Sequence, residues 1–296
     1  MERLEGIIIK GVGGLYSVET PAGVIACKAR GIFRKDGVKP LVGDRVEVTV
    51  DGTGSAVSKI FERKNALNRP PVANIDRLVI ISGAVSPAPG TLIIDRLTAA
   101  CEKNGIEPVV AFSKCDLADV SRFAEIYRKA GFRSFVYSAV TGEGLDAFAD
   151  VFDGGVSALT GNSGAGKSTL MNVLFPELQL ETGDVSKKLG RGRHTTRAVE
   201  LFRVGNGYIA DTPGFSSLDL DGSGFIRRTE LAECFSDFAP YRDRCRFTGC
   251  SHTAEKGCEV LRAVADGEIC QSRHESYKLM YEEAKAVPDW MLDKKK

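Results

Sequence analysis

The chain has no apolar run as long as a bilayer is thick, which excludes a membrane-spanning helix, and no membrane partner is expected. Its first residues, Met1-Glu2-Arg3-Leu4-Glu5, hold no apolar leader core, so a cytoplasmic protein is expected rather than a secreted one. Neither charge is in excess. Against 40 Lys and Arg stand 39 Asp and Glu, so binding by bulk charge is excluded for the molecule as a whole. Internal repeats and low-complexity tracts are missing, which sets aside solenoids and disordered chains. Eight cysteines without a secretion signal are expected to be reduced thiols and not a disulfide scaffold.

What is present is 296 residues with a hydrophobic fraction of 43%, enough for two or three domains and a sizeable core. The balanced charge is unevenly spread. Residues 1–70 carry 12 Lys and Arg against 8 Asp and Glu, a mild pointer to nucleic acid, although charge alone favours a solvated basic face.

Three segments follow one another. In the first, Gly6–Ile9, Leu15–Val18, Val24–Ala29, Arg45–Val50 and Ala56–Phe61 read as short strands punctuated by Gly, Pro and Asp. Five such strands over residues 1–67 predict a small OB-type β-barrel, with an SH3-like barrel as the competing pattern. Over residues 68–221 strands alternate with helices, which predicts an α/β domain with a mostly parallel sheet. Residues 222–296 hold helical stretches at Thr229–Phe238, Glu259–Ala265 and Ser272–Ala286 around a cluster of Cys and His. His274, inside the last of these, reads as a plain surface residue.

The middle segment carries a nucleotide site. Gly161-Asn162-Ser163-Gly164-Ala165-Gly166-Lys167-Ser168 fits Gly-x4-Gly-Lys-Ser/Thr, with the apolar run Val156–Thr160 before it and Thr169-Leu170-Met171 after it. Glycines let the backbone wrap a phosphate, and the loop N–H groups and helix N-terminus supply positive potential. Lys167 is expected on the β- and γ-phosphates and Ser168 on Mg²⁺. Asp211-Thr212-Pro213-Gly214 follows an apolar strand and matches Asp-x-x-Gly: Asp211 would hold the Mg²⁺ through water, and the Gly214 N–H would meet the γ-phosphate.

Guanine is chosen by two further segments. Ser113-Lys114-Cys115-Asp116 follows the strand Val109–Phe112 and is similar to Asn-Lys-x-Asp. A carboxylate at Asp116 accepts from N1–H and from the exocyclic amine of guanine, whereas adenine turns a lone pair toward it. Ser138-Ala139 matches the Ser-Ala segment whose backbone supports guanine O6. Both precede the phosphate loop, the reverse of the Ras-like order, so the chain reads as a circular permutation of a G domain. A P-loop kinase would leave Ser113–Asp116 unexplained.

Cys245, Cys250, His252 and Cys258 form a Cys₃His set suited to one closed, structural Zn²⁺ site. Cys27, Cys101, Cys115, Cys234 and Cys270 read as small hydrophobes or inert thiols.

A barrel, a permuted G domain and this cluster, together with Gly190-Arg191-Gly192-Arg193-His194-Thr195-Thr196, resemble the RsgA (YjeQ/YloQ) family of small-ribosomal-subunit biogenesis GTPases over essentially the whole chain. The resemblance implies binding of GTP and GDP, of the 30S subunit and of its 16S rRNA, with ribosome-stimulated hydrolysis late in 30S maturation; a monomer is expected. The alternatives are a permuted GTPase of another assembly step and a GTP-dependent RNA-binding module with negligible turnover. Where Ras-like enzymes place a water-orienting Gln, this chain has Phe215. Thr195 and Thr196 are candidate Mg²⁺ ligands, and His194 is the candidate catalytic residue, with rRNA contact as its other reading. The family usually has Asn where Ser113 stands. The shorter side chain is expected to lose its contact to the neighbouring loop or to make it through water.

Overall fold

A computed structural model describes residues 2–31, 33, 37–52, 54–68, 70–86, 88–178, 199–211 and 226–287. The expected roles of His194, Thr195, Thr196, Gly214 and Phe215 and of the Asp211 side chain lie outside the described residues. The described residues fall into two compact units, one drawn from Met1–Leu78, Ala149–Ser163 and Lys167–Leu218, the other from Val79–Phe148, Gly164–Gly166 and Asp219–Lys296.

The first unit begins with five strands, β1 (Glu2–Val12), β2 (Leu15–Thr20), β3 (Gly23–Ala29), β4 (Arg45–Asp51) and β5 (Gly54–Ile60). Their pairing runs β1-β2-β3-β5-β4 and then back to β1, through a register from Glu2↔Val50 to Ile7↔Arg45. This ring, with β3 and β5 parallel at Lys28↔Ala56, is a closed OB-type barrel and sets the SH3-like alternative aside. Alternation does the local work: Tyr16, Val18, Val46, Val48 and Val57 point inward from strands whose other face is wetter. Gly6 has no substitute, because a Cβ there would lie 2.3 Å from the Glu19 carbonyl oxygen on the next strand. Strand β1 runs longer than its apolar centre because Glu2, Arg3 and Glu5 continue the ladder with β4.

A short ribbon, β6 (Ala66–Asn68) with β7 (Pro71–Ala73), leaves the barrel. It meets the segment before β4 through the Val42↔Val72 bridge and the Ala73 N–H donating to the Val42 carbonyl at 2.8 Å, while the chain leading into it is held by fully buried Asp44, whose carboxylate takes two donors of Arg63 at 2.7 and 2.8 Å. The same unit holds β11 (Gly155–Thr160) parallel to β13 (Gly207–Asp211), with β12 (Glu200–Val204) antiparallel to β13 and pairing onward to β1 at Lys10↔Glu200. The helix that follows β11 spans Lys167–Leu174.

In the second unit β8 (Arg77–Gly83, mostly within it), β9 (Glu107–Ser113) and β10 (Arg133–Tyr137) are neighbours in the order β10-β9-β8. Strands β9 and β10 are parallel from Arg133↔Val109 to Tyr137↔Ser113. Nearly every β9 residue is buried, as a strand covered on both faces must be. Helices α1 (Thr91–Lys103) and α2 (Ser121–Lys129) connect the strands, followed by the short α3 (Asp146–Ala149); α4 is the Lys167–Leu174 helix.

The C-terminal segment of this unit contains α5 (Ala239–Arg242), α6 (Glu259–Ala265) and α7 (Gln271–Ala286). Its core, Leu231, Phe235, Phe238, Val260, Ala263, Tyr277 and Met280, is shared with Ala99 of α1. The helix expected over Thr229–Phe238 is instead two 3₁₀ turns, Leu231–Cys234 and Ser236–Phe238, which bring Phe235 and Phe238 to one core with ring centroids 5.2 Å apart. Helix α7 presents Arg273, His274, Ser276, Tyr277, Met280 and Ala284 on one buried face. His274 is thus a buried residue, contrary to its surface reading. No helix among the described residues is long and apolar enough to cross a membrane.

Candidate functional site

Each sequence-predicted segment begins where a strand ends: Ser113 closes β9, Tyr137 closes β10, Thr160 closes β11 and Asp211 closes β13. Carboxyl ends of parallel strands are where open α/β sheets bind ligands.

The phosphate loop runs from β11 into α4, with Gly161, Gly164 and Gly166 at φ of 145°, 75° and 91°. Residues with a Cβ rarely adopt these values, so the motif's glycine spacing is a backbone requirement. Lys167 folds back within its own unit. Its Nζ donates to the carbonyls of Gly161 at 2.6 Å and Asn162 at 2.9 Å, and burial pushes its pKa down. Ser168 is half-buried and Thr169 exposed at the first turn of α4.

In the second unit the two segments expected to read guanine lie side by side. The Cys115 N–H donates to the Tyr137 carbonyl at 3.3 Å. Lys114 takes φ 62°, and the Leu117 N–H closes the turn on its carbonyl, which leaves Asp116 exposed. Buried Ser138 accepts through its hydroxyl from Val140 N and Thr141 N, both at 3.2 Å, and so shapes the loop that begins at Ala139.

Ser113 differs from its expectation. Its hydroxyl donates directly to the Ala165 carbonyl in the phosphate loop at 2.7 Å, with both residues buried. The contact to the neighbouring loop is kept, without water, because Ala165 comes close enough for a short side chain to reach it.

The Cys and His cluster is assembled. The Sγ atoms of Cys245, Cys250 and Cys258 and a ring nitrogen of His252 all lie within 4.8 Å of one another and can hold a metal ion. Cys245 Sγ is 3.8 Å from Cys258 Sγ, and His252 Nδ1 is 3.5 Å from each of them. Burial pushes the Cys250 thiol up to about 12 and lowers the pKa of the His252 imidazole. The Glu259 N–H points at Cys245 Sγ at 3.4 Å, the polarity a thiolate favours.

Sequence reading missed the shell around this cluster. The Glu255 carboxylate gathers donors from Ser251 N at 2.8 Å and from Thr253 N and Ala254 N at 3.1 Å, and it also bonds the Ser251 hydroxyl. Its pKa falls to about 2 under those hydrogen bonds, against the opposing effect of burial. The only local hint is a Ser and a Glu four residues apart. Arg273 was missed as well. It is 1% exposed, donates bidentately to Asp237 at 2.8 Å and to Asp95 of α1 at 2.8 Å, and stacks its guanidinium over Phe235 and Phe132.

Barrel, phosphate loop, the segments Ser113–Asp116 and Ser138-Ala139 ahead of that loop and a C-terminal Cys and His cluster are the parts of a GTPase with a circularly permuted G domain. The comparisons narrow this. Residues 5–57 match the RsgA N-terminal domain model and residues 60–221 the RsgA GTPase model. The small ribosomal subunit biogenesis GTPase RsgA of Caldanaerobacter subterraneus subsp. tengcongensis is 41% identical over 290 residues, covering 96% of this chain and 97% of that one. Its namesake in Geobacillus thermodenitrificans is 44% identical, covering 92% and 94%. Among solved structures, YjeQ from Thermotoga maritima matches with a TM-score of 0.81 at 33% identity, over 97% of this chain and all of that one. YloQ, described as a circularly permuted GTPase, matches at 0.80 and 35%, over 97% of each chain. The chain belongs to the RsgA GTPase family.

Proposed function

We propose that the chain binds the small (30S) ribosomal subunit through its 16S rRNA and assists late maturation, hydrolysing GTP to GDP and phosphate when that particle stimulates it. The observation that carries this is identity of 41% over 96% of the chain to a small ribosomal subunit biogenesis GTPase, supported by Ser113, Tyr137, Thr160 and Asp211 each closing a strand. The protein acts as a cytoplasmic monomer. Co-sedimentation with 30S and 50S particles, in GDP and in a non-hydrolysable GTP analogue, tests it: analogue-dependent pelleting with 30S is expected, and pelleting with 50S instead would defeat it.

At the nucleotide, the N–H groups of Gly161–Ser168 surround the phosphates and Lys167 moves from its carbonyl partners onto the β- and γ-oxygens. Ser168, Asp211 and one of Thr195 or Thr196 hold Mg²⁺, which when bound neutralises charge on the transferring phosphoryl group. Gly214 N–H faces the γ-phosphate. Ser113 fixes the guanine-reading loop to the phosphate loop, Lys114 covers the base, and Asp116 and the Ala139 N–H read its edge. Asp116→Asn is expected to weaken GTP relative to xanthosine triphosphate by roughly 10- to 100-fold, the scale of one bidentate base contact. Equal affinity of the unsubstituted protein for ATP and GTP would overturn the assignment.

With Phe215 in the place of a water-orienting Gln, intrinsic turnover is slow, and His194 positions the water once 30S is bound. His194→Ala is expected to keep both binding events and lose stimulated turnover by roughly 10²-fold. Undiminished turnover would leave His194 as an RNA contact.

The metal in the C-terminal cluster is one structural Zn²⁺. A tetrahedron with Zn–S of about 2.3 Å and Zn–N of about 2.0–2.1 Å has edges of about 3.8 Å between sulfurs and about 3.6 Å from sulfur to nitrogen. The separations of 3.8 and 3.5 Å among Cys245, Cys258 and His252 support that reading.

A further inference from the structure

Two consecutive carbonyls in the loop that carries His252 are gripped by one helix. Tyr277 Oη donates to the Ser251 carbonyl at 2.9 Å, and His274 Nε2 lies 2.8 Å from the His252 carbonyl. A carbonyl can only accept, so the Nε2 of His274 carries the proton. Both side chains are buried, Tyr277 to 1% and His274 to 6% exposure, and their rings lie nearly parallel at 17°. They come from the same turn of α7. On that turn Arg273 is itself fixed to Asp237 and Asp95.

What they hold is an unfavourable backbone. His252 has φ of 56°, the left-handed region that a residue with a Cβ seldom enters. In that conformation its Nδ1 sits 3.5 Å from the sulfurs of Cys245 and Cys258. On the other side of the turn Glu255 collects the N–H groups of Ser251, Thr253 and Ala254. The turn is thus held at its carbonyls by α7 and at its amides by Glu255.

We infer that His274 and Tyr277 are positioning residues for the C-terminal metal centre: by donating to the Ser251 and His252 carbonyls they hold ligand His252 in its left-handed, ligating conformation. This rests on the zinc reading above. Outer partners that orient a ligand commonly set metal affinity, because a ligand already in place loses less freedom on binding. A buried aromatic face alone would serve the core equally well with Phe at both positions. The two donors do what Phe cannot: they satisfy the Ser251 and His252 carbonyls and fix the backbone that carries the ligand.

The test uses full-length protein and zinc itself. Zinc content is measured first, then affinity by competition with a chromophoric chelator, and the ligand-field bands of the Co²⁺-substituted protein report the geometry. His274→Phe keeps a ring and removes the donor, whereas His274→Gln keeps a donor near Nε2 and removes the ring. Tyr277→Phe removes one hydroxyl and nothing else. His274→Phe and Tyr277→Phe are each expected to bind zinc about tenfold more weakly with altered Co²⁺ bands, and His274→Gln to recover most of the loss. Unchanged affinity in both Phe variants, or a Gln variant as weak as His274→Phe, would overturn the inference. Should His274→Phe fail to fold, Tyr277→Phe decides alone. Unsubstituted protein without zinc would defeat the reading of the cluster itself, a result separate from zinc-loaded variants that bind as tightly as the parent.

Discussion

Cys250→Ala is expected to abolish zinc binding and release residues 243–258 from protection against hydrogen exchange while nucleotide affinity stays close to the parent's. Between α5 and α6 these residues form turns and bends with no regular element, so few backbone hydrogen bonds hold them without the metal. The proposed site closes this loop with four ligands, and apparent zinc binding contributes about 10–16 kcal/mol in zinc-finger peptides. Here the shell of Glu255, His274 and Tyr277 and the shared core with α1 retain part of the structure, so α7 is expected to remain helical. The nucleotide segments do not include these residues, which is why their function should survive. A metal-free protein with parent-like protection across 243–258 would refute the structural role.

Arg273→Met is expected to destabilise the second unit by about 3–5 kcal/mol, the usual result of removing one partner from a buried ion pair. Met matches much of the volume but leaves the carboxylates of Asp95, fully buried, and Asp237 without their cation. Burial already pushes the Asp95 carboxyl above its ordinary 3.8, and the Arg273 charge opposes that rise. In the variant the opposition is gone and the folded-state pKa climbs further. A carboxyl raised in the folded state favours folding while it is protonated, below its unfolded pKa, and loses that contribution as pH rises through the folded value. The loss relative to the parent should therefore be smallest near 3.8 and grow toward neutral pH. Urea unfolding of both proteins across that range checks it, and a pH-independent difference below about 1 kcal/mol would contradict it. Adding Asp95→Asn should recover part of the loss, because the residues touch and their effects are not additive.

Local chemistry made much of this molecule legible. Glycine spacing in Gly161–Ser168 needs only adjacent residues, and the structure places that loop where β11 meets α4. The order of Ser113–Asp116 and Ser138-Ala139 before that loop reveals the permutation without any coordinates. Barrel strands are legible from the Gly, Pro and Asp that punctuate them, although the first, expected over Gly6–Ile9, spans Glu2–Val12, and at Glu2–Glu5 cross-strand pairing and not burial carries the ladder. The ribbon β6–β7 was missed because three residues per strand leave no period to detect. Other features depend on distance along the chain. The run Gln271-Ser272-Arg273-His274-Glu275-Ser276 is polar throughout, so nothing local marks Arg273 and His274 as buried; their partners are Asp95, 178 residues away, and the His252 carbonyl, 22 away. The Ser113 contact with Ala165 spans 52 residues and depends on how closely the two loops approach, which a residue type cannot report.

Whether the small ribosomal subunit switches this GTPase on is read from GTP turnover by the purified protein alone, with 30S particles and with 50S particles. A Gln that orients water is missing after the Asp211–Gly214 segment, and Phe215 in its place can neither donate nor accept a hydrogen bond. Turnover alone should therefore be slow, and 30S should raise it by roughly 10²-fold, the contribution of one well-placed water-orienting group. 50S particles should leave it near the unstimulated rate. Turnover that is equally slow with both particles, or that rises only with 50S, would rule out activation by the small subunit.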